Sequence, residues 1–204
     1  MQVTETALQK RIRESNEAFI RMTPNERIVA IAKDARLQIL AAKYVPRTGV
    51  YCEMSIPGLT ENSQADNNRE LFEVIDEAPE KGCVVCARGA LFLSACSQFN
   101  SFKVRDITDW NAVDLDGNPD LTDLHGASLK PVEERFFTPD QIGMIEIMFE
   151  CSTWCPSGDT VDTKIAKACA RYGGNYLTSG NRLLEICDNL IRNEGTFVVP
   201  DKYL

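Results

Sequence analysis

Two cysteine pairs carry the most specific chemistry in the sequence: Cys83-x2-Cys86 and Cys151-x3-Cys155. Either spacing lets two thiolates close on one tetrahedral ion, and together they would make a four-cysteine structural zinc site. The second pair lies in CSTWCPSG, where Pro156, Ser157 and Gly158 suit a chain turning around a metal. The first encloses Val84 and Val85 and runs into Ala87, as a strand or helix entering a core does. Cysteine is also among the most buried residue types in the absence of any metal. On a helix, Cys86, Gly89, Ala90, Leu93 and Cys96 share one face, so a backbone passing close over Gly89 and Ala90 accounts for the small residues without zinc. The expectation is a core seam, with zinc the competing one.

Other chemistry is sparser. A cysteine nucleophile needs a histidine base or a nearby cation. The single histidine, His125, sits in an acidic loop beside Gly126, which leaves Cys86 near a helix start, with Arg88 close by, as the other candidate thiolate. Asp114, Asp116, Asn118 and Asp120 alternate as calcium ligands do, but Pro119 stands where an EF-hand needs glycine and His125 where it needs a bidentate glutamate. No phosphate-binding glycine motif occurs. Gly180-Asn181-Arg182 opens the last predicted helix and offers free N–H groups to an anion. Arg36, Arg88 and Arg182 are the basic residues that would line a cleft between helices if the protein binds a small ligand or nucleotide.

The net charge of −8 is segregated. Residues 1–51 carry +4, 53–80 carry −7, 81–105 carry +4, 106–123 carry −6, and the remainder −3. An acidic balance argues against general nucleic-acid binding, which needs clustered Lys and Arg. It suits a protein that occupies a basic site on a partner, with Glu70, Glu73, Asp76, Glu77, Asp114, Asp116 and Asp120 as the contact surface. No run of about 18 apolar residues predicts a membrane span, and the polar opening MQVTETALQKRIRESNEAF does not read as a secretory signal. The eight cysteines are then expected as reduced thiols in a cytoplasmic protein.

The elements that must position these groups are mostly helical. Thr23-Pro24-Asn25-Glu26 and Thr138-Pro139-Asp140-Gln141 each place threonine at the N-cap, proline at the first helical position, and Glu or Gln where a capping box closes. Ile28, Ile31, Ala32, Ala35 and Ile39 then fall at helical spacing toward Tyr44, and Ile142, Ile145, Met148 and Phe149 do so ahead of a turn at 151–158. An earlier surface helix with one narrow buried stripe of Leu8, Ile12, Ala18 and Phe19 is predicted over 4–22, a short acidic helix over 68–78, and another from near Val85 to Phe99. Further helices follow over 163–172 and from Leu183 to Ile191, the last ended by Gly195 as a left-handed cap. VPRTGVYCEM, residues 45–54, reads as a short hairpin or extended segment, and Thr196 to Val199 as extended.

The KYVPRTGVYCEM segment, the CVVCARGALFLS block, the helix opened by TPDQI and the final RLLEICDNLIRNEGTFVVP together resemble a group of helical proteins of bacteria, phages and plasmids to which no activity is assigned. The resemblance implies a helical fold and a mobile-element setting. A chain of 204 residues suffices for one substantial core. The expected architecture is thus a single, mainly α-helical domain over 1–204 with a small β-hairpin or extended segment and acidic loops near 55–68 and 106–131. The expected role is a non-enzymatic accessory protein, phage-encoded and binding a host or cognate protein. A small-ligand binder and a zinc-stabilised module are the alternatives.

Overall fold

The structure, a computed structural model, describes residues 6–53, 83–99, 135–153 and 160–204. Among these residues the chain is mainly helical, six α-helices packing around one small sheet. Helix α1 (Ala7–Arg21) starts at Thr6, whose hydroxyl accepts from the Gln9 N–H while the Gln9 side chain accepts from the Thr6 N–H. Helix α1 lies on the surface as predicted, but the narrow buried stripe expected along it is not formed: it has no buried residue, Leu8 is exposed, and Ile12, Ala18 and Phe19 are only half-buried. It meets the core through Phe19, which contacts Phe99 and Phe136 edge-on.

Helix α2 (Pro24–Leu40) carries the full Thr23/Glu26 capping box and buries Ile28, Ile31, Ala32 and Ala35. Strand β1 (Tyr44–Pro46) follows, and then β2 (Cys52–Glu53). Both are extended, as one of the two readings of residues 45–54 has it, but they do not pair with each other as the hairpin reading would require. Strand β3 (Cys83–Val85) lies between them, parallel to β1 with Tyr44 opposite Cys83 and antiparallel to β2 with Cys52 opposite Val85. The first cysteine of the CxxC pair therefore starts a central strand, and the helix predicted from near Val85 begins instead at Ala87.

Helix α3 (Ala87–Phe99) is buried around nearly its whole circumference, from Ala87 through Cys96, rather than along one face. Its sequence has almost no polar side because it is the central helix, covered by α1, α2, the sheet and the next helix. Helix α4 (Pro139–Glu150) buries the predicted Ile142, Ile145, Met148 and Phe149, together with Gly143 and Ile147. Its capping box is only half made. Thr138 accepts from the Gln141 N–H, but the Gln141 amide donates to the Gly195 carbonyl, tying the helix start to the C-terminal tail instead of to its own cap.

Helices α5 (Thr163–Gly173) and α6 (Ser179–Arg192) complete the layer, α5 packing on α4 and α6 on α2. Gly195 holds φ at +87° and lies so close to α2 that a Cβ there would meet the Asn25 carbonyl at 2.6 Å. The tail ends in a 3-10 turn, Asp201–Tyr203. The acidic residues Glu70, Glu73, Asp76, Glu77, Asp114, Asp116 and Asp120, like the predicted 68–78 helix, His125 and Cys155, lie outside the described residues.

Candidate functional site

The carboxyl ends of the parallel strands β1 and β3 meet the start of α3, the end of α4 and the start of α6, and the chemically capable side chains of the described residues gather there. Cys86 follows β3 directly and caps α3: its Sγ accepts from the Gly89 N–H at 3.4 Å. Its own N–H donates to the Tyr51 carbonyl at 3.0 Å, fixing the strand-to-helix turn against β2. Gly89 is required at this position, since a Cβ would lie 1.9 Å from that same carbonyl oxygen. The close approach expected over the small residues thus exists, and what approaches is the chain entering β2.

The two cysteines of the first pair face different surroundings. Cys83 lies near the buried Tyr44 ring, and burial pushes its thiol up to about 11. Cys86 is near Arg88 and Glu146, and burial pushes its thiol up to about 12, outweighing the Gly89 and Arg88 N–H groups and the Arg88 charge that act the other way. A thiol held protonated this firmly is a small apolar side chain, so a helix N-terminus and a nearby arginine do not make Cys86 a thiolate. Cys151 ends α4 in the left-handed conformation, φ 53°. Among the described residues no group of three or more His, Cys, Asp or Glu is placed to hold a metal ion.

The three arginines of the predicted cleft are distributed over two places. Arg36 on α2 pairs with Asp188 on α6 at 2.7 Å, across the seam between those helices. Arg88 is buried and donates to Glu146 of α4 at 3.4 Å, with its guanidinium 5.4 Å from the centre of the Tyr51 ring. Arg182, in the first turn of α6, reaches the end of α4, where its Nη1 donates to the Cys151 sulfur at 2.7 Å. Glu150 completes the group. Both of its carboxylate oxygens accept from the Gly49 N–H, at 3.1 and 3.2 Å, which pins the turn between β1 and β2 to α4. Burial raises the Glu150 carboxyl, the Gly49 N–H lowers it, the Glu146 charge raises it and Arg182 lowers it.

Arg88 and Arg182 therefore bracket two carboxylates one helical turn apart on α4, and the cluster sums to no net charge. Its chemistry is that of a polar clamp joining sheet, α3, α4 and α6. Sequence reasoning named both arginines and Cys151 but not Glu146 and Glu150; their i, i+4 spacing on α4 is the signal that marks them as neighbours. The start of α6, proposed above for anions, is engaged in structure: Thr178 accepts from the Asn181 N–H and Ser179 Oγ donates to the Pro46 carbonyl at 2.6 Å.

A second concavity lies at the other end of α6. It is a groove of about 740 Å³ between the start of α2 and the end of α6, lined by Met22, Glu26, Val29, Lys33, Ile191 and Glu194 among others. Its lining mixes apolar side chains with charges of both signs, and none of the predicted site residues lines it. No described helix is long and apolar enough to cross a membrane, and none of the seven described cysteines is in a disulfide. No family model matches the chain, and neither a curated protein nor a solved structure matches it.

Proposed function

We propose that the protein is a non-enzymatic accessory protein that binds a basic site on a host or cognate protein through its acidic segments, with the helical core as their scaffold. Charge partition is the observation that carries this. The described residues hold 17 Lys and Arg against 13 Asp and Glu, a net +4, while the rest of the chain holds 5 Lys and Arg against 17 Asp and Glu. Of the −12 that the rest of the chain carries, −10 is concentrated in two stretches of sequence, 54–82 and 100–134, instead of being dispersed as solubilising charge. Acid so concentrated raises association rates with a basic partner and selects against acidic ones. The resemblance to phage and plasmid proteins makes a cytoplasmic host protein the partner class.

The core supports the same reading through what its polar groups already do. Arg36, Arg88 and Arg182 are engaged with Asp188, Glu146 and Cys151, so a small anion in a basic cleft would have to displace these contacts. The test uses two full-length variants: one with Glu70, Glu73, Asp76 and Glu77 changed to their amides, and one with Asp114, Asp116 and Asp120 changed to Asn. A partner captured by the wild-type chain and identified by mass should bind at least tenfold more weakly to one or both variants, and more weakly as salt rises. Equal affinity of both variants for that partner overturns the proposal. A thermal shift of several degrees with a nucleotide, unaffected by the acidic substitutions, would instead support the ligand-binding alternative.

A further inference from the structure

We propose that the exposed face of α5, joined by Lys202 from the C-terminal tail, is a docking surface for a short acidic peptide segment of a partner protein. Helix α5 packs chiefly on α4 and the tail, and it buries Ala166, Ala168, Cys169, Tyr172 and Gly173. Its other side carries Lys164, Lys167 and Arg171, all exposed. Their spacing of i, i+3 and i+7 sets three cations in one stripe about 10 Å long. Lys202, also exposed, lies in the 3-10 turn that packs on the same helix. Among the described residues none of these four cations is in an ion pair, whereas Lys10, Arg13, Arg21, Arg36, Arg88 and Arg192 each meet a carboxylate.

The stripe is also held ready. Arg171 donates through Nη2 to the Tyr203 carbonyl, and the Tyr203 ring stacks on Tyr172 with centres 5.0 Å apart. A carbonyl is a neutral acceptor, so this contact orients the guanidinium without cancelling its charge and leaves further N–H donors for a carboxylate. Two acids bound the positive region. Asp162 caps α5 by accepting from the Lys164 and Ile165 N–H groups, and Asp201 opens the turn that carries Lys202. The nearby Glu185 is already engaged by Tyr172 and Arg192. Positive charge is thus confined to about two helical turns, which decides the kind of occupant. In an extended peptide alternate side chains point the same way about 7 Å apart, so a segment of about five residues lays its carboxylates along the stripe. A nucleic-acid strand, charged along its whole length, would run on past Asp162 and Asp201 over a chain of net charge −8. This surface is opposite in sign to the acidic segments and independent of them, since it meets acid on the partner.

The test titrates the full-length chain into a dye-labelled octapeptide of alternating Glu and Ser and reads anisotropy at about 50 mM and about 300 mM salt. The matching Gln–Ser peptide and a single-stranded DNA of equal charge are the comparisons. The Glu peptide should bind at least tenfold more tightly than the Gln peptide and more weakly at the higher salt. Lys164→Glu with Lys167→Glu should weaken it at least tenfold. Lys33→Glu with Lys43→Glu, the same charge change at two other exposed positions, should leave it within about twofold. If the charge-reversed α5 does not fold by circular dichroism, Lys164→Gln with Lys167→Gln replaces it, with at least a threefold loss expected. Equal binding of the Glu and Gln peptides, wild-type affinity in a folded Lys164/Lys167 variant, or tighter binding of the DNA than of the Glu peptide overturns the proposal.

Discussion

Gly89 shows how much of this architecture turns on one absent methyl group. The Tyr51 carbonyl it faces is not free to retreat, because the Cys86 N–H donates to it at 3.0 Å, and the Cys52 side chain beside it is fully buried. A Cβ there would lie 1.9 Å from that oxygen, so Gly89→Ala must push β2 away from α3 and uncover the sheet. The expected cost is about 3 kcal/mol, read as a lower urea midpoint with unchanged slope, and a loss below about 1 kcal/mol would mean that the Tyr51 turn moves freely. Gly49 makes the contrast: its φ of +73° favours glycine, yet nothing lies within 4 Å of a Cβ there, so Gly49→Ala meets backbone strain of about 1 kcal/mol without a clash. That small residues surround Cys86 is visible in the sequence. Which backbone they admit is not, because Tyr51 and Gly89 are brought together by strand pairing, and no local spacing encodes it.

At the scale of elements, the segments with local stop and start chemistry were legible and those made by long-range pairing were not. Thr23-Pro24-Asn25-Glu26 closes its own box within four residues, and α2 forms as its spacing predicts. Strand β3 is three residues long and acquires its identity only by insertion between β1 and β2, so CVV was open to a helical reading. The C-terminal tail lies between these cases. Its extended conformation follows from Gly195 and Pro200, but its attachment depends on Asn189, a buried amide in α6. The Asn189 side chain accepts from the Val198 N–H at 2.9 Å and donates to the Val198 carbonyl at 2.7 Å, imitating a strand partner. Tyr172 stacks on Tyr203 and donates to Glu185 at 2.5 Å, and Arg171 donates to the Tyr203 carbonyl. Asn189→Leu removes both backbone partners of Val198 in a buried setting, at an expected cost of about 2–4 kcal/mol. Carboxypeptidase digestion followed by mass should then trim the chain back toward Gly195 while leaving the wild-type tail intact; equal resistance would place the hold in the tyrosine stack alone.

For the molecule as a whole, the buried thiols set how stability responds to alkali. Burial pushes Cys86 and Cys187 up to about 12 and Cys83 to about 11, and Cys96 higher still, from an ordinary thiol value of 9.0. Each thiol therefore keeps its proton in the folded protein at a pH where the unfolded chain has lost it. The sign follows: below pH 9 both states are protonated and these groups leave stability unchanged with pH, and above it the unfolded state is progressively favoured. Each fully buried thiol steepens the fall by up to about 1.4 kcal/mol per pH unit. Urea unfolding under reducing conditions should thus be flat from about pH 7 to 8.5 and decline steeply from about 9 upward. Cys187→Ala separates this linkage from packing. The substitution lowers stability at neutral pH by leaving a small gap, but it removes one proton from the alkaline slope, so wild type and variant should converge as pH rises. Parallel curves would mean that the Cys187 thiol titrates alike in both states and that the core around α6 admits solvent.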